Sequence, residues 1–256
     1  MARNTINMSR SIAGTRTVAT QRKVPGVSLN KCADFSLDAK ANVSFTVPAS
    51  MDPANMVNFT FAVWLYPKEI DSLARRIIDN ITTGAGFYCQ LPNTGLDFRV
   101  QYHTIYDGTI LGAGIIKVGK WQRLLVTWNN ASGHPNIYLN SVLQTRTGGA
   151  TKSGVRDQWS GSVPIIGNSN ATTGNRNFGG LMDEFCIWNR ILTPTEINDD
   201  FFKAMAPVST NGLLLRYAMD ETSGNLVDAS GNSITGTPYN LTQNVASYSI
   251  PARTAA

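Results

Sequence analysis

Apolar and polar residues alternate along most of the chain, which is the pattern of half-buried β-strands. The alternation is clearest at 57–67, where every second residue from Val57 to Leu65 is apolar and Asn58 and Thr60 lie between them. The same period of two predicts further strands at 42–48, 76–80, 86–91, 96–102, 109–118, 121–129, 136–147, 162–168, 180–189 and 212–220.

Turn-forming residues separate these candidate strands at short, regular distances. Turns are predicted at Asn93-Thr94-Gly95, Asp107-Gly108, Ser132-Gly133-His134-Pro135, Gly148-Gly149 and Gly179-Gly180. About ten short strands at this spacing are typical of an all-β sandwich or barrel. The chain has 256 residues, 42% of them hydrophobic, which is enough for one large domain with a sizeable core.

One helix is strongly predicted, over about 194–205. Thr193 is followed three residues later by Glu196, which is the spacing of a capping box. Pro194 occupies the first helical position, where a missing backbone N–H costs nothing. The sequence therefore predicts a strand over 180–189 that turns directly into a well-capped helix.

The net charge of +5 is unevenly distributed, because residues 1–33 contain six basic residues and no acidic one. The remaining residues contain 16 basic and 17 acidic side chains, so this part of the chain is nearly neutral. The cations of this segment are Arg3, Arg10, Arg16, Arg22, Lys23 and Lys31. We therefore divide the chain into a basic arm at 1–30, a β domain at 31–250 and a tail at 251–256.

The arm is rich in Ser, Thr and Arg and has little apolar periodicity, so we expect it to be disordered in isolation. We interpret it as a docking arm that becomes ordered on other structural proteins of an assembly. A mitochondrial transit peptide and a solvated tail remain alternatives. A nucleic-acid partner is disfavoured, because the arm has no aromatic residue for stacking and no recognition element.

Composition argues against several classes of protein. No apolar run approaches the roughly 18 residues of a membrane helix, so no membrane partner is expected. The start of the chain has no apolar core of a secretory signal peptide, so synthesis in the cytoplasm is expected. Cys32, Cys89 and Cys186 are odd in number and widely spaced, which fits neither a disulfide scaffold nor a metal site.

Three segments occur in the order FTFAVWLYPKE (59–69), WQRLLVTWNNASGHPNIYLNSVLQTRT (121–147) and GGLMDEFCIWNRILTPTEI (179–197). Together they resemble the laminin G-like, concanavalin A-like jelly rolls of the lectin and glucanase superfamily. In the second segment Ser141 stands where the family usually has a turn glycine. The matching positions of the third segment are Asp183, Glu184, Trp188, Arg190, Leu192 and Glu196. The resemblance implies a two-sheet antiparallel jelly-roll sandwich with one short helix near 194–205.

A fourth segment, 213–242, resembles the opening of such domains but comes last in this chain. We therefore predict a permuted sandwich in which the strand at 213–219 lies beside 33–37 or 43–47. The alternative is that 213–256 swaps onto a neighbouring subunit. A strand at 213–219 that pairs with neither partner would argue against both versions.

Some relatives of this fold are glycosidases, which need two carboxylates facing one groove. The nearest acids here, Asp183 and Glu184, are adjacent on a strand, so we expect them on opposite faces of the sheet. The resemblance makes them structural, together with Trp188, Thr193 and Glu196. We therefore expect the protein not to be an enzyme.

The residues for a triad or a metal site are sparse. His103 and His134 are the two histidines, and we expect His134 to be a solvated turn residue. Calcium at the rim of the sandwich is compatible with the resemblance, but no site is assigned and no cofactor is expected. Compatible residue types are Asp97, Asp107, Asn168 and Asn170.

Sugar binding needs an aromatic face and nearby polar groups. The candidates are Trp159, His103, Tyr106 and Asp107, although core packing or a protein contact explains Trp159 more readily. The other tryptophans, Trp64, Trp121, Trp128 and Trp188, lie in strand patterns and should be core or near-core.

We expect a non-catalytic structural or attachment protein of a large multi-copy or homo-oligomeric assembly. We expect the setting to be a virion, in which residues 1–30 anchor the protein in a phage capsid or tail and the sandwich faces outward. A free or cell-surface lectin that binds a glycan is the alternative, and a glycoside hydrolase ranks third.

Overall fold

The computed structural model describes the body of the chain, and the arm at 1–30 and residues 247–256 lie outside the described part. Of the predicted sugar-binding residues, Trp159 and His103 also lie outside it. The described residues are 31–51, 57–80, 85–93, 95–102, 105–129, 134–149, 163–169, 175–203 and 209–246.

The described residues form fifteen strands, one short 3₁₀ turn at Ala49–Met51 and one α-helix. The strands are β1 (Lys31–Phe35), β2 (Asn42–Phe45), β3 (Asn58–Pro67), β4 (Arg75–Asp79), β5 (Ala85–Leu91), β6 (Leu96–Tyr102), β7 (Ile105–Leu111), β8 (Gln122–Asn129), β9 (Asn136–Leu139), β10 (Val142–Leu143), β11 (Ile165–Ile166), β12 (Gly180–Trp188), β13 (Leu213–Tyr217), β14 (Gly236–Tyr239) and β15 (Thr242–Ala246). The helix is α1 (Pro194–Lys203).

Two antiparallel sheets pack face to face, which confirms the predicted all-β jelly-roll sandwich. Sheet A has eight strands in the order β10-β9-β8-β3-β12-β1-β15, with β13 also paired to β12. Sheet B has seven strands in the order β14-β2-β11-β4-β5-β6-β7. Alternation of side chains therefore gives each sheet an inner face toward the other sheet and an outer face.

Aromatic side chains fill the space between the sheets. The Phe59 ring of sheet A lies 5.4 Å from Trp128 on the neighbouring strand and 5.4 Å from Phe87 of sheet B. Trp128 lies in this inter-sheet core, whereas Trp64, Trp121 and Trp188 are buried in two smaller clusters, so the four tryptophans are core or near-core as predicted. Large buried rings of this kind contribute much of the stability of a sandwich.

Two of the predicted boundaries around β7 are wrong. Asp107 and Gly108 do not form a turn, because they lie within β7 and pair with Val100 and Arg99 of β6. The strand predicted over 109–118 ends at Leu111. Pairing with β6 along its whole length outweighs the local turn preference of an Asp-Gly pair.

The predicted pairing of 213–219 is also wrong. β13 pairs with Phe185–Trp188 of β12 rather than with β1 or β2, whereas β1 pairs with Gly180–Met182 at the other end of β12. The strands that follow, which the sequence pattern missed, add β14 to β2 and β15 to β1. The segment 213–246 therefore packs on the body of its own chain, and the pairing on which the permuted and swapped versions relied is absent.

The helix begins where it was predicted. Glu196 N donates to Thr193 Oγ1 at 3.2 Å and Thr193 N donates to Glu196 Oε2 at 2.8 Å, which completes the capping box. Ile197 and Leu192 pack on Trp188 at the outer face of sheet A. No helix in the described ranges has the length and apolar character needed to span a membrane.

Candidate functional site

The two adjacent acids of β12 lie on the same face of sheet A, contrary to the prediction. A β-bulge lies between Asp183 and Cys186, and Glu184 has a φ of 49°. Met182 and Phe185 on either side of the pair both reach the inter-sheet core, so the extra residue interrupts the alternation. The bulge therefore directs both carboxylates to the outer face of sheet A, and alternation alone does not exclude them as a catalytic pair.

Their contacts nevertheless hold both acids inside the protein. Asp183 Oδ1 accepts from Glu184 N at 3.0 Å, and the Glu184 carboxylate accepts from Arg216 Nε at 2.8 Å and Nη2 at 2.7 Å. Asp183 is 0% exposed and Glu184 is 3% exposed. Burial raises the pKa of Glu184, and the hydrogen bonds from Arg216 oppose that shift. Both carboxylates are therefore engaged by groups of the protein itself.

The cysteines offer no reactive nucleophile. Cys32, Cys89 and Cys186 are all unpaired and buried. Burial raises the pKa of the Cys32 thiol to about 12 and raises the pKa values of the other two thiols. Thiols of this kind stay protonated at neutral pH and are inert.

The predicted sugar-binding residues are only partly placed. Tyr106 and Asp107 lie in β7, where their backbones pair with Gln101 and Val100 of β6. β6 ends at Tyr102, which pairs with Ala85 at the start of β5, and β7 begins at Ile105. The predicted set stays a prediction, since Trp159 and His103 are outside the described ranges.

The outer face of sheet B carries a charged row across β4, β5 and β6. The Arg76 guanidinium lies 2.8 Å from the Asp79 carboxylate and donates through Nη1 to Gln90 Oε1. Gln90 Nε2 donates to Asp97 Oδ2 at 2.8 Å, and Arg99 Nε donates to Asp97 Oδ1 at 2.9 Å. These polar groups bond one another, so the row forms an internal network.

The same network covers an aromatic ring that sugars could otherwise stack on. The Arg76 guanidinium carbon lies 4.1 Å from the centroid of the Tyr88 ring, a cation–π contact, and Arg99 lies 5.6 Å from it. Tyr88 is itself buried. The middle of sheet B is therefore not an open stacking platform.

Two of the calcium-compatible residue types are already engaged. Asp97 accepts from Gln90 and Arg99, and Asn168 Oδ1 accepts from Ser169 N at 2.8 Å and Arg176 N at 3.3 Å. Asn170 lies outside the described residues, and the side chain of Asp107 is not described. Within the described ranges, no group of three or more His, Cys, Asp and Glu side chains could hold a metal ion.

Asn80 is the polar side chain that lacks a partner at the end of β4. It is only 3% exposed, yet neither its Nδ2 nor its Oδ1 has a hydrogen-bond partner. Its backbone N donates to Phe87 O at 2.9 Å, which fixes the residue between the end of β4 and the start of β5. An unpaired buried amide of this kind costs about 1–3 kcal/mol unless a ligand or water completes it.

The fold brings Asn80 to the end of sheet B where β6 ends and β7 begins. Tyr102, the last residue of β6, pairs with the first residue of β5, and the Asn80 backbone is bonded to the third. Sequence reasoning missed Asn80, although an asparagine directly after the buried strand RRIID was an available signal. The candidate site is therefore the Asn80 amide at this end of sheet B.

A family profile described as the concanavalin A-like lectin/glucanases superfamily matches residues 38–198, which is more than half of the chain. The chain belongs to this superfamily. The predicted resemblance is therefore confirmed, and the protein is a lectin-like jelly-roll domain. By its description the superfamily includes both lectins and glucanases, so membership is compatible with either sugar binding or hydrolysis. No curated protein matches the chain in sequence.

Solved structures of the same fold support this assignment. One is a Bacteroides ovatus protein to which carbohydrate binding is ascribed, with a TM-score of 0.59, 18% identity and coverage of 84% of this chain and 60% of that protein. Another is the heptameric SAP-like pentraxin of Limulus polyphemus, with a TM-score of 0.56, 16% identity and coverage of 86% and 97%. This chain thus spans about three fifths of the length of the Bacteroides protein, and at these identities the likeness concerns the fold.

Proposed function

We propose that this superfamily member is a non-catalytic carbohydrate-binding domain whose ligand is held by Asn80. The carrying observation is the buried amide of Asn80, in which the donor and the acceptor are both unpaired. A sugar hydroxyl can accept from Nδ2 and donate to Oδ1, whereas a bare cation could satisfy only the oxygen. The ascribed role of the Bacteroides ovatus structure supports the same class of ligand.

The non-catalytic part of the proposal rests on the acids of β12. Glycoside hydrolysis needs two carboxyl groups that are free to act on either side of the scissile bond. Asp183 accepts a hydrogen bond from Glu184 N, and Glu184 is bonded at both oxygens to Arg216. The protein should therefore release no reducing sugar from β-glucans, and any such release that Glu184→Gln abolished would contradict this part.

A glycan array followed by calorimetry on the hits tests sugar binding. Asn80→Ala should weaken binding of the hit at least about tenfold, because a ligand would lose two hydrogen bonds made in a buried site. Asn225→Ala is the matched control, because it makes the same change at an exposed asparagine. Unaltered affinity in Asn80→Ala, or silence across the array, would overturn the proposal.

The setting we propose is a multi-copy assembly to which residues 1–30 attach the domain, with a phage capsid or tail as the candidate particle. The supporting observation is the separation of charge, since six cations and no acid precede Asp34. A polybasic, acid-free segment is suited to docking on an acidic protein surface. The sandwich would then display its sugar site outward.

Removal of residues 1–30 tests this second candidate. The truncated protein should keep its fold and its sugar affinity, because the described sheets begin at Lys31, but it should no longer co-purify with the particle or partner that retains the full chain. Substituting Arg3, Arg10, Arg16, Arg22 and Lys23 by glutamine isolates the role of charge. Retention of the truncated chain in the assembly would contradict the anchoring role.

A further inference from the structure

A second polar row crosses the end of sheet A. Asn58 begins β3 and pairs with Asn129 at the end of β8. β8 pairs in turn with β9, with Thr127 opposite Asn136. Continuing this antiparallel register by two residues places His134 next to Asn129. Asn58 of β3, Asn129 of β8 and His134, two residues before β9, thus form one row, which we call the Asn58 row.

The Asn58 row belongs to the outer face of sheet A. Phe59 and Trp128, the neighbours of Asn58 and Asn129, stack on each other inside the core at 5.4 Å. Successive side chains of a strand point to opposite faces, so Asn58 and Asn129 point away from that core. The row is therefore separate from the Asn80 amide, which belongs to sheet B.

Two atoms of the row lack partners. Asn58 Oδ1 and His134 Nδ1 are both buried, and neither has a hydrogen-bond partner. Both residues are nevertheless half-buried rather than fully enclosed, and His134 lies in a bend, as expected, with its Nδ1 turned away from solvent. Next to it, Thr109 Oγ1 donates to Pro135 O at 2.6 Å and ties this strand end to β7. Two buried atoms without partners in one row point to a missing ligand.

We propose that the Asn58 row is a second binding site for a neutral saccharide, on the sheet opposite the Asn80 amide. Asn58 Oδ1 can only accept, so it needs a donor, and the neutral imidazole can offer either a donor or an acceptor at Nδ1. A pair of sugar hydroxyls supplies both. Neither asparagine of the row carries a charge that would pair with a carboxylated or sulfated sugar. The choice of a saccharide as the ligand rests on the proposed function, but the Asn58 row shares no residue with the Asn80 site.

The two histidines make the test direct, because the imidazole ¹⁵N signals of this protein come only from His103 and His134. His103→Asn assigns the remaining signals to His134. The probes are glucose, galactose, mannose, N-acetylglucosamine and N-acetylgalactosamine, titrated into the full chain. The His134 Nδ1 signal should move saturably with at least one of them. Asn58→Ala should weaken that response about tenfold, the cost of one hydrogen bond in a buried site.

The same titration in other variants separates the two sites. Asn80→Ala should leave the His134 response intact. Asn136→Ala is the matched control for Asn58→Ala, because Asn136 is an exposed asparagine at the start of β9. If Asn58→Ala folds poorly, calorimetry on His134→Ala tests the same claim. This variant should bind sugar at one site, whereas the wild type should bind it at two. A static His134 signal alongside Asn80-dependent binding would overturn this inference alone, whereas a responding His134 without Asn80-dependent binding would overturn only the proposed function. No response anywhere would overturn both.

Discussion

Arg123 of β8 and Asp200 of α1 are joined by two hydrogen bonds, Nε to Oδ2 at 2.7 Å and Nη2 to Oδ1 at 2.9 Å. Each side chain is only 2% exposed. The remaining Arg123 nitrogen, Nη1, donates to Glu184 O at 2.8 Å, at the bulge of β12. Burial alone would lower the pKa of Arg123, but the Asp200 carboxylate raises it, so the charge persists inside the protein. One guanidinium therefore links the helix to the bulge.

Arg123→Met should destabilise the fold by about 3–5 kcal/mol, because it leaves the Asp200 carboxylate buried without a partner. The double variant Arg123→Met/Asp200→Leu should lose less than the sum of the two single changes, since neither charge is then left unpaired. Urea unfolding measures both. Lys120→Met is the control at an exposed cation. If Arg123→Met lowered the free energy of unfolding no more than this control does, the stabilising link between the helix and the bulge would be contradicted.

The capping glutamate should make stability depend on acid pH. The Arg190 hydrogen bonds lower the pKa of Glu196 from 4.5 to about 2 in the folded protein. A carboxyl group whose pKa is lower in the folded protein than in the unfolded chain stabilises the fold at every pH above its unfolded pKa. That stabilisation is lost as the pH falls toward the folded pKa. The melting temperature should therefore fall between about pH 4.5 and pH 2 more steeply in the wild type than in Glu196→Gln. Equal slopes would refute this role.

Gly167 should tolerate no side chain. Its φ is 84°, and a Cβ atom there would lie 2.2 Å from Phe35 Cδ1 in the core. Gly114 has the same φ with nothing within 4 Å of its Cβ position, so it isolates the conformational cost. We expect about 1–2 kcal/mol of destabilisation for Gly114→Ala and about 1–3 kcal/mol more for Gly167→Ala, measured by urea unfolding. Equal losses would show that the Phe35 ring moves aside freely.

Asn80 should reduce stability in the absence of ligand. Asn80→Leu replaces an unpaired amide by an apolar group of similar size, so thermal unfolding should show a stabilised protein, by about 1–3 kcal/mol. The same variant should not bind sugar. A structural asparagine would behave in the opposite way, and a destabilised Asn80→Leu would indicate that the amide is satisfied within the fold.

Much of the fold could be predicted from the sequence, because the relevant signals are local. The period of two in residues 58–67 and 122–129 reports which face of a strand is buried, and the Thr193–Glu196 spacing sets a helix start within one turn. Both were placed within a residue or two of their positions in the structure.

The features of the site are decided by tertiary structure. The bulge that turns Asp183 and Glu184 to one face exists because β12 pairs with β3 in a particular register, and nothing in the local sequence fixes that register. The partner of β13 is likewise set by non-local pairing, since β13 adds to Phe185–Trp188 of β12, beyond the residues that pair with β1. In the sequence, Asn80 is an ordinary asparagine at the end of a strand. Only the packing of the fold shows that its amide is buried without a hydrogen-bond partner. The sequence determines which face of each strand is apolar. Whether a buried polar group finds a hydrogen-bond partner depends on residues that are distant in the sequence.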